Sequence, residues 1–287
     1  MHSTPEPQRV LAIMAAHNRR DTTLTAVTRL AASAKRASVA ATIVLVDDGS
    51  TDGTSGAVTD ATSIPVQIIT GDGSWFWARS MAAAERRALE LSNDGDWLLW
   101  LNDDVVLDDD ALARLIDASS ARPGAIIVGS TRDPQTDAVT YGGMMRAGRH
   151  PLAFALTTPP RSGLAPIDTF NGNIVLVPVE AARELGGING ELSHALADID
   201  YGWRARGTSR HAVLAPGTFG TCARNPERTF PTRRAQWRSF IGIKGGGNGK
   251  STARVLRRLA PSTWAFWWTA TYVVWWARRL SPGRGSR

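Results

Sequence analysis

The chain has 287 residues, a hydrophobic share of 43% and a formal net charge of +7. That length and apolar content suit one large α/β domain with or without an extension, and they exclude a largely disordered chain. A single cysteine, Cys222, excludes an intrachain disulfide and a zinc ribbon, and it fits a reducing cytosol.

Residues 1–8 lack the apolar centre of a signal peptide and read as a disordered N-terminus. Residues 10–16 form an apolar run, expected as a buried strand. Asp21 then reads as the N-cap of a helix reaching about Ala37. Residues 41–46 and 65–70 are the second and third strands, and 76–91 is a helix. Residues 97–101 are the fourth strand, 110–119 a helix and 125–129 the fifth strand. Strands and helices alternating at this spacing predict βαβ units, a mostly parallel central sheet flanked by helices, and ligands at the carboxyl ends of the strands. Residues 130–170 read as loops and short strands. Residues 173–178 are a further strand, 180–185 a short helix stopped by Gly186 and Gly187, and 196–206 a helix.

From Arg224 the composition shifts. Arg and Lys crowd the chain as far as Arg258, with a turn at Gly245, Gly246 and Gly247, and a Trp-rich helix follows Pro261. No internal repeat and no long uncharged apolar span occurs. Indoles beside cations suit a membrane surface, while packing on the domain or in a dimer is the alternative for the same helix.

The residues that carry chemistry follow the strands. Asp47 and Asp48, then Gly49, Ser50 and Thr51, end the second strand. Carboxylates there can accept a base ring N–H or a ribose hydroxyl, and an Asp-rich turn before a helix at Thr54 is the local alternative. Asn102, Asp103 and Asp104 end the fourth strand. Acids beside a buried strand cost several kcal/mol unless partnered, and a hard cation such as Mg2+ or Mn2+ takes carboxylate and phosphate oxygens together. Asp108, Asp109 and Asp110 read as a helix N-terminal cluster. Asp198 and Asp200, two apart on a helix, cannot share a face, so one points into a site while the other caps or pairs with Arg204. Gly71, Gly73 and Trp75 follow the third strand, with core packing expected for one of Phe76 and Trp77. His17 and Asn18 follow the first strand, and Asn171, Gly172 and Asn173 precede the strand at 173–178.

Together the pieces AHNRR, VDDGSTDGT, GDGSWFWARSM, WLNDDV, FNGNIVLVPVEAARELGGI and ADIDYGWRAR resemble a family 2 glycosyltransferase of the GT-A fold, of the bacterial rhamnosyltransferase type. The resemblance covers roughly residues 9–215. It implies a GT-A (Rossmann-like) catalytic domain over residues 9–223, with residues 224–287 as a basic, Trp-rich helical extension. Ala15, His17 and Asn18 would line the nucleotide pocket. Asp47 would contact the base, with Ser50 and Thr51 nearby, and Gly73 and Trp75 would lie under the nucleotide-sugar. Asn102, Asp103 and Asp104 would be the metal motif, with Asp104 as the main ligand to Mn2+ or Mg2+ and Asp103 assisting. Asp198 would be the catalytic base, and Asn171, Gly172 and Asn173 would hydrogen-bond donor or acceptor.

The implied reaction is inverting transfer of a sugar, rhamnose among the candidates, from a dTDP- or UDP-sugar to a glycan or lipid-linked acceptor hydroxyl in bacterial cell-surface polysaccharide synthesis. The implied location is cytoplasmic, with peripheral contact to the inner face of the plasma membrane. Three residues depart from the family pattern: Asn102 and Ala197 replace acids, and Cys222 lies near a slot where members often carry a His, the nearest here being His211 before the strand. These departures keep a second reading, a non-catalytic nucleotide-sugar- or glycan-binding protein. A nucleotidyltransferase is disfavoured because the loop after the first strand has no glycine. A nucleic-acid partner is not expected, because the positive charge sits in the tail without an aromatic-basic signature.

Overall fold

Arg9–Ala16 forms β1, and the unbroken buried run from Val10 to Met14 marks a strand covered on both faces. α1 (Arg20–Arg36), β2 (Ala40–Asp47), α2 (Thr54–Ala61), β3 (Val66–Thr70), α3 (Phe76–Leu91) and β4 (Trp97–Leu101) follow. β3, β2, β1 and β4 are neighbours in that order and all parallel. Next come β5 (Val106–Leu107), α4 (Ala111–Ala121), β6 (Ile126–Arg132), β7 (Val139–Tyr141), β8 (Gly143–Arg146), β9 (Phe154–Leu156), β10 (Ala165–Pro166), β11 (Thr169–Phe170), β12 (Ile174–Pro178), α5 (Val179–Leu185), α6 (Ala197–Arg206) and β13 (Ala212–Thr221). The computed structural model describes residues 8–226 and 229–280, so all of the expected disordered N-terminus except Gln8 lies outside the described residues.

β12 enters between β4 and β6, antiparallel to both, and β13 lies parallel to β6. The expected α/β fold with a mostly parallel sheet flanked by helices is therefore present. β8, β9 and β11 form a separate three-stranded sheet. Alternation in β1 splits the core: Leu11 and Ile13 face Met81 of α3, Trp100 and Tyr201, while Val10, Ala12 and Met14 face Val27 and Leu30 of α1 and Leu112 of α4. Chain direction along the sheet reverses at β1, so the carboxyl ends of β1 and β4 open a crevice.

Two helix starts differ from expectation. α1 begins one residue before Asp21, with Arg19 at the N-cap position and no side-chain cap; Asp52 Oδ2 accepts the Arg20 N–H instead, at 3.0 Å. Asp108, Asp109 and Asp110 do not cap α4. Asp110 has φ −96° and ψ 2°, outside the extended geometry that lets a cap side chain reach back. Basic neighbours take these acids: Arg132 grips Asp108 at 2.8 and 2.9 Å, Arg29 pairs with Asp109, and Arg114 with Asp110.

The tail folds as α7 (Arg233–Ile241), α8 (Gly249–Leu259) and α9 (Trp264–Leu280). α8 buries Val255, Leu256 and Leu259. It is also tied electrostatically, because the fully buried Asp200 accepts from Arg204 (2.9 Å) and from Arg258 of α8 (3.0 and 3.1 Å). α9 rests on α7, with Trp275 4.8 Å from Trp237 and stacked on Phe240. Among the described residues no helix is long and apolar enough to cross a membrane.

Candidate active site

Two glycine loops and one histidine meet at the ends of β1, β2 and β3. Asp48 organises them: its Oδ1 accepts the Gly73 N–H and its Oδ2 the Phe76 N–H, both at 2.9 Å. Any Cβ at Gly71 would lie 2.5 Å from Asp48 Oδ1, and one at Gly49 would lie 2.8 Å from Gly73 N, so only glycine allows the loops to press together. Phe76 holds a left-handed φ of +54°, unusual for a bulky residue, and the Asp48 bond fixes it there. His17 Nδ1 lies 2.6 Å from the Asp48 carbonyl, which can only accept, so Nδ1 carries the proton.

Asn18, Ser50 and Thr51 form one strap beside this loop. The Asn18 N–H donates to Ser50 Oγ and the Thr51 N–H to Asn18 Oδ1, each at 2.8 Å. Asp47 is buried and spends its oxygens locally, on the Ser50 N–H (2.9 Å) and the Ser55 hydroxyl. Asp52 then caps α2 at Thr54. Ala15 is half-buried at the end of β1, and the indole of Trp75 lies under the Arg79 guanidinium, 4.6 Å away.

The acids after β4 sit across the crevice. Asp103 is buried and Asp104 part-exposed, and Arg19 Nη1 bonds both, at 2.7 and 3.1 Å. Burial pushes the Asp103 carboxyl up to about 6, opposed by Arg19. Burial would lower the Arg19 pKa, but the two acids outweigh it and hold the guanidinium firmly charged. Asn102 Oδ1 accepts from the indole Nε1 of Trp77 at 2.8 Å. Cys222, at the end of β13, approaches Asp104 Oδ1 at 3.5 Å, and burial pushes its thiol up to about 12.

Two adjacent carboxylates supply hard oxygens that fit Mg2+ or Mn2+, whereas a protonated thiol does not. No group of three His, Cys, Asp or Glu side chains is placed to hold a metal among the described residues. Protein ligands alone would thus be Asp104 and Asp103, with the remainder supplied by a diphosphate.

Asp198 closes the other side. It stands in the first turn of α6, where Oδ1 accepts the Ile199 N–H at 2.8 Å and Oδ2 the Gly172 N–H at 3.2 Å. Burial pushes its carboxyl up to about 6 despite these bonds. Asp200 pairs with Arg204, while Asp198 faces the loop at Gly172. Gly172 fits only without a side chain, since a Cβ would lie 2.8 Å from Trp77. Asn171 N–H is bound to the Gly142 carbonyl, and buried Asn173 donates to Cys222 Sγ at 3.7 Å. Asp198 holds Gly172, and the next residue, Asn173, begins a run of polar contacts through Cys222 to Asp104, Arg19 and Asp103.

Trp77, one of the two aromatics of which one is expected in the core, serves both core and site. Its Nε1 holds Asn102, and its ring meets Trp100 edge-on at 6.1 Å. Arg19, directly after His17 and Asn18, joins the site through Asp103 and Asp104 without any spacing in the sequence to announce it. Glu85 of α3 was not singled out; it is buried, accepts from Ile188 N–H and Tyr201 OH, and burial pushes it up to about 7. Lys244, from the loop between α7 and α8, lies 5.0 Å from the Phe76 ring, and the Ile243 carbonyl accepts the His194 N–H.

Residues 11–179 match the sequence profile of glycosyl transferase family 2. No curated protein gives a significant match. Solved structures of similar fold include the mannosyltransferase PcManGT from Pyrobaculum calidifontis in complex with GDP-Man and Mn2+, at 16% identity and a TM-score of 0.56, covering 93% of this chain and 70% of that one. S. aureus TarS in complex with UDP-GlcNAc is similar at 12% identity and a TM-score of 0.62, covering 88% of this chain and 66% of that one. At these identities the likeness is one of fold.

Proposed function

The chain belongs to glycosyl transferase family 2, and on that premise we propose that it is an inverting, rhamnosyltransferase-like enzyme. It moves a sugar, rhamnose first among the candidates, from a dTDP- or UDP-sugar to a hydroxyl of a glycan or lipid-linked acceptor in bacterial cell-surface polysaccharide synthesis. The observation that carries this reading is Asp198: a carboxylate raised to about 6 and pinned by two backbone N–H groups, one of them that of Gly172, whose next residue, Asn173, contacts Cys222 and through it Asp104.

Asp198 is ionised at neutral pH and takes the proton of the acceptor hydroxyl. The acceptor oxygen bonds to the anomeric carbon as the bond to the donor phosphate breaks, its electron pair leaving with the diphosphate, and the configuration inverts. The nucleotide lies along the loops that Asp48 organises, with Asp47, Ser50 and Thr51 on the base side and Gly73 and Trp75 beneath the sugar-diphosphate. A divalent metal, Mn2+ or Mg2+, held by Asp104 and Asp103, would neutralise charge on the departing diphosphate. Arg19 keeps the acid pair neutralised before the donor arrives. The enzyme works in the cytoplasm, with peripheral membrane contact through α9.

Incubation with dTDP- and UDP-sugars, reading nucleotide release and product, tests the proposal. Turnover that is lost in Asp198→Asn while donor binding survives supports it. A non-catalytic nucleotide-sugar- or glycan-binding protein is the second reading, favoured by the engagement of both motif acids with Arg19 and of Asn102 with Trp77. Nucleotide binding without any turnover selects that reading.

A further inference from the structure

α8 and α9 enclose a groove of about 630 Å³, lined by Lys250, Arg254 and Arg257 of α8 and the indoles of Trp264 and Trp268 of α9. Because α8 turns Val255, Leu256 and Leu259 into the core and Arg258 to Asp200, Lys250, Arg254 and Arg257 are left to line the groove. Arg257 lies 4.1 Å over the Trp264 ring, and Trp268 Nε1 donates to the Gly249 carbonyl at 3.0 Å, which fixes both indoles on the groove wall. Arg254 pairs with Glu191, whereas Lys250 and Arg257 have no carboxylate partner among the described residues. Residues 264–277 carry no charge, and Arg278 and Arg279 follow at once.

The far side of α9 is apolar and uncovered: Phe266 is 65% exposed, Val273 59%, Val274 42% and Trp276 37%. Monomer surfaces seldom leave such a strip in water. A helix with an apolar face on one side and indoles beside unneutralised cations on the other has the charge and polarity of a helix lying in an anionic membrane surface.

We propose that the groove between α8 and α9 seats the phosphate headgroup of an anionic bilayer lipid, while Phe266, Val273 and Val274 lie among the acyl chains. Lys250, Arg254 and Arg257 bond the phosphate oxygens, and Trp264 and Trp268 sit at the boundary between headgroup and chain. This rests on the peripheral membrane contact assigned to α9 and is independent of sugar transfer.

The test is flotation of the full-length protein with phosphatidylcholine vesicles, with and without phosphatidylglycerol, at fixed ionic strength. Partition to the anionic vesicles is expected to exceed that to neutral ones by at least about tenfold and to withstand inorganic phosphate. The double variant Lys250→Ala/Arg257→Ala loses about thirtyfold in that partition, from about 1 kcal/mol per cation near the surface. The variant Phe266→Ser/Val273→Ser loses binding to both vesicles, with its thermal unfolding unchanged. If the cation variant binds like wild type and the apolar variant does not, the membrane contact stands and the headgroup site is overturned. Equal partition to neutral vesicles, or displacement by inorganic phosphate, also overturns the site. No vesicle binding, or a stable dimer that covers the α9 face, overturns both.

Discussion

Replacing Asp198 by Asn removes one negative charge and one proton acceptor at the head of α6. The two carboxylate oxygens receive different N–H groups, Ile199 on Oδ1 and Gly172 on Oδ2, and an Asn can serve only one of them. The other N–H then faces an amide NH2, which costs about 1–3 kcal/mol of stability. Loss of a general base lowers turnover by about 10²- to 10⁴-fold, or about 3–5 kcal/mol of barrier. The wild-type pH profile carries the same information. With a carboxyl near 6, about nine tenths of Asp198 is ionised at pH 7 and about one tenth at pH 5, so kcat/KM should fall about tenfold per unit below pH 6. Nucleotide release from donor plus acceptor, followed from pH 5 to 8, measures both effects, and donor affinity by calorimetry separates binding from chemistry. A rate that stays flat down to pH 5, or an Asn variant that loses donor binding but keeps turnover of bound donor, refutes the base assignment.

Gly172→Ala places a Cβ 2.8 Å from the Trp77 ring, which must move and loosen its bond to Asn102. The expected cost is about 1–3 kcal/mol in urea unfolding together with weaker donor binding, and an unchanged midpoint contradicts it. Asp200→Asn leaves Arg204 and Arg258 facing each other without their shared carboxylate, at about 3 kcal/mol or more; a loss below about 1 kcal/mol would show that the pairing is idle. Glu85 holds its proton in the folded state up to about pH 7 but releases it near 4.5 when unfolded. The native state therefore binds more protons across that window, and stability falls as pH rises through it. Urea midpoints between pH 4.5 and 7.5 should slope less in Glu85→Gln, and equal slopes in the two proteins would remove Glu85 as the cause. Asp104→Ala should weaken nucleotide binding in Mn2+, read by calorimetry, while an unchanged affinity would place the metal elsewhere.

Much of the fold was legible because its central strands are continuous apolar runs punctuated by glycine and acid. β1, β2, β3 and β4 announce themselves this way, and so does the Asn102-Asp103-Asp104 turn that ends β4. The short strands β5 and β7 to β11 were not, since two to four residues carry no period and are set by their partners in β6, β8 and β13.

In the site, local spacing shows that Asp198 and Asp200 diverge, because residues two apart on a helix do not share a face, while the choice of Asp198 for the site rests on the family resemblance. It gave no sign that Arg258 would join Arg204 on Asp200, 58 residues away in sequence. Asp48 was overshadowed by Asp47, although it is Asp48 whose oxygens hold the Gly73 and Phe76 N–H groups. Glu85 stands beside Arg86 and Arg87 in the sequence, which gives no sign of its burial. Its burial follows from Ile188, which lies 103 residues further along the chain.

Central to the account is a crevice that binds a nucleoside diphosphate through the loops around Asp48 and the acids after β4. Calorimetric titration with UDP and with dTDP, each in Mn2+ and in EDTA, tests it most directly. The account predicts binding of at least one of the two, much tighter with Mn2+ than with EDTA. Absence of binding by both nucleotides in Mn2+ would contradict it.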